Sequence, residues 1–169
     1  MNCPFCRIAR GELSAHLLYE DEQVLSFLDA APMAPGHALI VPRAHVERFT
    51  ELSQAQACRL FTVAVLVGRA LTEALGAPGF TVGLNDGPVA GQGVPHVHLH
   101  LIPRFPGDGG KSLHALLPYR PLRPDPELAR RVRQYSALKE NEIPWANCAF
   151  VVSGKFVSPP KDFAPKSWA

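Results

Sequence analysis

Three histidines alternate with aliphatic residues in the run P-H-V-H-L-H-L-I-P-R at residues 95–104. In an extended chain successive side chains point to opposite faces. His96, His98 and His100 therefore share one face, and Val97, Leu99 and Leu101 share the other. The aliphatic face can enter a core, where a row of imidazoles adds nothing. Each ring can be neutral or charged at little cost near neutral pH. Such a row suits a metal, or one nucleophilic ring with two helpers. A solvated edge strand is the reading without chemistry.

Two other stretches carry chemical residue types. Cys3-Pro-Phe-Cys6 is a two-thiol knuckle whose spacing suits zinc if two more ligands come from elsewhere. A redox pair is the rival, but no strand precedes it as a thioredoxin-like site requires. The turn D-G-P-V-A-G-Q-G at residues 86–93 runs directly towards the histidines. Its glycines permit close backbone approach and offer N–H groups to an anion.

The elements that must position these residues follow from pattern. Residues 17–20 and 24–28 read as short strands around a polar turn, followed by a proline-rich loop at 30–36. G-H-A-L-I-V-P at residues 36–42 reads as a buried strand with His37 near its start and His45 just past its end. Pro42 is a natural stop, since it cannot donate to a ladder. The clearest helix is capped by Ser53 and closed by Gly76. Ala57, Leu60, Phe61, Ala64, Val67, Gly68, Leu71 and Leu75 form its apolar stripe. Residues 80–85 read as another strand. Asp125-Pro126 opens a polar helix expected to reach about Lys139. The segment C-A-F-V-V, then Ser153-Gly154, then K-F-V-S resembles a small hairpin, and a proline- and lysine-rich arm ends the chain. The fold class is α+β: an antiparallel sheet with one long helix packed on it, then a short helix and a tail. Residues 1–110 form the expected domain and 111–169 an extension.

Composition bounds the partners. At 169 residues and a net charge of +2, neither nucleic acid nor a membrane surface is implied. M-N-C-P-F-C has no apolar leader segment. The most apolar stretch, 60–75, is interrupted by Arg69 and Glu73, so it does not span a bilayer. The expected compartment is the cytoplasm. Cys58, inside the helical pattern, and Cys148, in the tail, are expected to be inert.

The run His96-Val-His98-Leu-His100-Leu-Ile resembles the signature of the histidine triad family. Asp29, Pro35-Gly36-His37, Pro42-Arg43-Ala44-His45, Asn85 and Ala90-Gly91-Gln92 fall in the family's order, and the resemblance covers roughly residues 3–106. The glycine-rich turn and the H-L-I-P-R-F-P end look most like the branch that hydrolyses dinucleoside polyphosphates. The Cys3–Cys6 knuckle looks more like zinc-containing, phosphoramidase-like members. The resemblance implies a nucleotide-binding homodimer. It also implies attack by His98 on the α-phosphorus of an adenine nucleotide, then hydrolysis of the nucleotidyl-histidine. By the same analogy the His96 carbonyl holds the other nitrogen of His98. His100, His37, Asn85 and Gln92 become phosphate donors, with backbone N–H groups near Gly93 and Val94, and Asp29 holds the ribose. Cys3, Cys6, His45 and His96 become a closed, structural zinc set. Many members carry Ser or Thr after the loop glutamine; here it is Gly93, which tilts the substrate towards polyphosphates over phosphoramidates. A phosphoramidase or other adenylyl-conjugate hydrolase remains an alternative. So does a nucleotide-sensing module with incidental turnover. A nucleotidyl-sugar transferase would carry glutamine where this chain has His100.

Overall fold

The computed structural model describes residues 2–117, 123–136 and 155–156. Its elements are α1 (Pro4–Ala9), β1 (Leu17–Glu20), β2 (Val24–Leu28), β3 (Ala38–Pro42), α2 (Gln54–Leu75), β4 (Gly79–Gly83), β5 (Leu99–Arg104), α3 (Pro126–Ser136) and β6 (Lys155–Phe156). The strands form one sheet in the order β4-β5-β3-β2-β1-β6, and every pair is antiparallel. No helix among the described residues is long and apolar enough to cross a membrane.

The long helix starts and stops for local reasons. Ser53 accepts the Gln56 amide while the Gln56 side chain accepts the Ser53 amide, closing a reciprocal cap. Gly76 ends it in the left-handed conformation, at φ 64°. Leu60, Val63, Ala64, Val67 and Leu71 then pack against Ile40, Val97, Leu99 and Leu101 on one sheet face. The buried seam is narrower than the expected stripe. Phe61 and Leu75 flank it and are 57% and 38% exposed, while Val63 lies inside it. Arg59 is also inside. It is 3% exposed, and its guanidinium bonds the Asp21 carboxylate and the Tyr19 hydroxyl.

The opposite sheet face is covered by the N-terminus. Cys3, Phe5 and Cys6 pack on Leu25, Phe27, Leu39 and Val41. Leu39 and His100 are directly opposite in the β3–β5 ladder, so the histidine face is the one that α1 covers. Arg43 ties α1 down, donating to the Ala9 carbonyl at 2.9 Å and to Glu20 at 2.9 Å.

Several strand limits differ from expectation because a ladder needs a partner as well as a pattern. Pairing of the histidine segment begins at Leu99. Before it, the Val97 amide bonds the Val46 carbonyl at 2.7 Å, and side chains still alternate between two covered faces, Val97 and Leu99 in the helix-side core and His96 and His98 against Phe5. His37 precedes β3, in a turn where its amide bonds the Ala34 carbonyl. β4 stops at Gly83, short of Asn85. In the tail, Lys155 and Phe156 pair with Glu20 and Tyr19. The first arm of the expected hairpin, Cys148, the end of the polar helix near Lys139 and the terminal arm lie outside the described residues. Cys58 is half-buried and disulfide-bonded, so it is not an inert thiol.

Candidate active site

The histidines of the covered face are distinguished by what each ring nitrogen meets. His98 is buried, and its Nδ1 lies 2.7 Å from the His96 carbonyl oxygen. A carbonyl only accepts, so Nδ1 carries the hydrogen and Nε2 keeps a lone pair. The ring is held edgewise by Phe5, with centroids 5.2 Å apart, and by His100 at 5.0 Å.

His100 and His37 are coupled. The Met33 amide donates to His37 Nδ1 at 3.1 Å, which puts the hydrogen of the neutral ring on Nε2. That Nε2 lies 3.0 Å from His100 Nδ1 and so donates to it. The chain of donation leaves His100 with its own hydrogen on Nε2. Burial, then the neighbouring His98 and His37, lower the His100 pKa to about 4, against the opposing pull of Asp29. Burial likewise lowers His37. Both rings are neutral at pH 7 and present N–H donors without added charge. Asp29, at the end of β2, has Oδ2 3.5 Å from His37 Nε2 and 3.9 Å from His100 Nδ1. Its Oδ1 accepts the Ala31 amide.

His96 faces elsewhere. It is fully buried, its Nε2 donates to the Pro42 carbonyl at 2.9 Å, and its Nδ1 lone pair faces Cys3 Sγ at 3.4 Å and Cys6 Sγ at 3.6 Å. His45 Nδ1 lies 3.3 Å from Cys6 Sγ, and its Nε2 lies 3.3 Å from the Glu47 carboxylate. The four donor atoms of Cys3, Cys6, His45 and His96 are within 4.8 Å of one another. Tetrahedral zinc, with bonds of about 2.3 Å to sulfur and 2.0–2.1 Å to nitrogen, separates S from N by about 3.5 Å. The donor set therefore fits the ion, and the Pro42 carbonyl and Glu47 fix the ligand rings as outer partners do around metals. Asp29, His37 and His100 are also close enough to hold an ion. They do not suit one, because the Met33 amide claims the Nδ1 lone pair of His37 and leaves Nε2 protonated.

The glycine-rich turn is pinned from one side. Asp86 accepts the Phe49 amide at 2.9 Å and pairs with Arg48. Gly87, at φ 81°, lies so near the Arg48 guanidinium that an added Cβ would sit 2.4 Å from it. Gln92 accepts the Gly87 amide at 2.7 Å and donates to the Glu47 carbonyl at 2.8 Å, so one of its two amide hydrogens is already spent within the turn. Asn85 and Gly93 are exposed, and half-buried Val94 packs against the α1 cluster.

The structure thus brings His98, His100, His37 and Asp29 together, and separately gathers His96 with Cys3, Cys6 and His45. Sequence reasoning missed Phe5, Met33 and Arg43 as supports. Phe5 was within reach, since it lies between the two cysteines that the resemblance sets beside His96. The Met33 contribution is a backbone amide, for which residue type gives no signal.

Comparison with known proteins supplies the remaining findings. Residues 10–107 match the HIT domain. An uncharacterized HIT-like protein of Methanocaldococcus jannaschii is 47% identical over 107 residues, 63% of this chain and 82% of that protein. An adenylylsulfatase of Arabidopsis thaliana is 37% identical over 61% of this chain and 52% of its own length. An adenosine 5'-monophosphoramidase of Schizosaccharomyces pombe is 36% identical over 62% of this chain and 75% of its own. Among solved structures, a HIT family protein from Bacillus subtilis superposes with a TM-score of 0.70 at 31% identity, covering 82% of this chain and 97% of that one. A zinc-bound histidine triad protein from Mycobacterium smegmatis superposes at 0.62 with 35% identity, covering 81% and 98%.

Proposed function

The chain belongs to the HIT family, and on that premise we propose that it is a hydrolase passing a nucleotidyl group to water through a covalent bond to His98. The observation that carries this is the 2.7 Å contact between His98 Nδ1 and the His96 carbonyl, which leaves Nε2 as a free lone pair. Nε2 attacks the α-phosphorus, the P–O bond to the leaving group breaks, and water then displaces the histidine. Splitting one displacement into two lowers each barrier. Charge grows on the non-bridging oxygens, where the amides near Gly93 and Val94 are donors, and on the leaving oxygen, which the Nε2–H of His100 faces. His37 fixes the His100 tautomer. Asn85 and the remaining amide hydrogen of Gln92 reach the phosphate side, and Asp29 takes the ribose hydroxyls.

The leaving group is an anhydride oxygen in this reading. Gly93 offers no hydroxyl to assist a departing amine, so a leaving group that departs as a stable anion suits the site best. Dinucleoside polyphosphates are the first choice and adenylyl sulfate shares their chemistry. The second reading, an adenosine phosphoramidate, is favoured by the 36% identity to the Schizosaccharomyces pombe enzyme. Incubation with diadenosine tetraphosphate, adenylyl sulfate and an adenosine phosphoramidate ranks the three. Quenching in alkaline denaturant, which preserves the acid-labile P–N bond, and peptide mapping should find AMP on His98. Label on another residue, or full turnover by His98→Ala, removes the mechanism, and tight binding with no turnover of any of the three favours a nucleotide sensor.

Zinc is proposed at Cys3, Cys6, His45 and His96. When bound, it crosslinks the N-terminal knuckle to the histidine segment and, with all four positions filled by protein, has a structural role. The wild type should carry about one zinc per chain and Cys3→Ala far less; equal contents would remove this site. A homodimer is proposed through β4. This strand is a sheet edge of sequence G-F-T-V-G with no charge to blunt it, and Val82 on it is exposed. Sedimentation should show a dimer that Val82→Lys weakens.

A further inference from the structure

We propose that Asp29 is a positioning residue for proton exchange by His100, independently of any contact with the ribose. The inference rests on the nucleotidyl-transfer reading above and extends it to the fate of the protons.

The neutral His37–His100 pair has no place for another proton. His37 Nδ1 is taken by the Met33 amide, and His100 Nδ1 is taken by the Nε2–H of His37. A proton added at His100 Nδ1 would bring two N–H groups head to head across 3.0 Å. The Asp29 carboxylate resolves this conflict. Its Oδ2 is 3.5 Å from His37 Nε2 and 3.9 Å from His100 Nδ1, just beyond hydrogen-bond length, and its Oδ1 is anchored by the Ala31 amide. A small rotation lets one oxygen accept from both rings. No other carboxylate reaches the pair among the described residues, and the remaining ring beside His100 is His98.

The proton cycle then balances. The free pair is neutral; when the anionic substrate binds, His100 takes up one proton from solvent and holds hydrogens on both nitrogens, Nδ1–H turned to Asp29 and Nε2–H to the leaving oxygen. As His98 Nε2 bonds phosphorus and the P–O bond breaks, the leaving oxygen keeps the electron pair and takes the Nε2 proton. His100 is left neutral with Nδ1–H on Asp29. In the second step water attacks phosphorus, gives its proton to His100 Nε2, and the P–N electron pair returns to His98. The extra proton is restored and no outside reagent is consumed. Asp29 acts throughout on the orientation and charge of His100 and bonds nothing on the phosphate.

The p-nitrophenyl ester of 2′,3′-dideoxyadenosine 5′-phosphate tests this, because it has no ribose hydroxyls to bind and its leaving group departs without a proton. His100 then sheds its Nε2 proton to solvent, keeps Nδ1–H on Asp29, and is the base for the attacking water. With Asp29→Asn, nitrophenolate should appear in a burst of about one per chain, then at a steady rate lower by on the order of 10²-fold. KM should not rise. The burst amplitude counts folded sites, so misfolding cannot imitate the result. In a His100→Gln background, Asp29→Asn should cost nothing further. An Asp29→Asn enzyme with an unchanged steady rate, or a second full loss in the His100→Gln background, overturns the proposal. If the wild type releases no nitrophenolate and no AMP from any adenylyl substrate, the hydrolase reading fails instead.

Discussion

His100→Gln should flatten the acid side of the stability curve by about 2 kcal/mol between pH 7 and pH 5. In the folded protein burial, then His98 and His37, hold the His100 pKa at about 4, down from 6.5. Between those values the unfolded chain binds a proton that the folded chain refuses. Stability is therefore whole above pH 6.5 and falls as the pH drops, by about 2 kcal/mol at pH 5, levelling near 3 kcal/mol below pH 4. The side chain is 23% exposed, so water screens little of this. Urea unfolding of wild type and variant at pH 7, 6 and 5 measures it. The difference between the two proteins is the quantity of interest, because the other histidines, the carboxylates and any ion at the thiols are common to both. Curves that fall in parallel would mean that His100 charges as readily in the fold as in water. Burial and the hydrogen bond from His37 would then not be what keeps the ring neutral in the free protein.

Two further substitutions probe the frame. Arg59→Met strands the Asp21 carboxylate, which is 5% exposed, and should cost about 3–5 kcal/mol in urea unfolding. Adding Asp21→Asn to Arg59→Met should recover part of that loss, and strictly additive losses would show that the two groups do not act as a pair. Gly36→Ala sets a Cβ 2.5 Å from Leu75 Cδ1 at φ 79°. It should lose about 1–3 kcal/mol by thermal unfolding and lower kcat, since His37 is the next residue; unchanged kcat would detach the turn from the site.

What the sequence made legible was whatever depends on neighbours a few residues apart. The cap at Ser53, the stop at Gly76 and the alternation around His98 are of that kind, and each stands in the structure. Arg59 was not legible, because an arginine inside an apolar stripe reads as an outward residue until Asp21, 38 positions earlier, is known to wait beneath it. The covering of the histidine face was also hidden. The knuckle of Cys3 and Cys6 is distant in sequence, and only the fold lays Phe5 on the ring of His98. Strand limits failed for the same reason: residues 95–98 have the pattern of a strand, but their partners are loop carbonyls rather than a ladder.

The choice of nucleophile also lies beyond the pattern, which treats His96, His98 and His100 alike. Backbone groups separate them. The Pro42 carbonyl takes the Nε2 hydrogen of His96 and turns its lone pair to the thiols. The Met33 amide, acting through His37, spends the Nδ1 lone pair of His100. The His96 carbonyl takes the Nδ1 hydrogen of His98, so its Nε2 lone pair is the one committed neither to the thiols nor to another ring. Replacing Phe5 or the thiols would leave the two carbonyl contacts in place, whereas the Met33 amide reaches His100 only through the ring of His37. Reactivity here follows from where the chain places its own carbonyls and amides, and the identity of His98 as nucleophile is a property of the fold before it is a property of the motif.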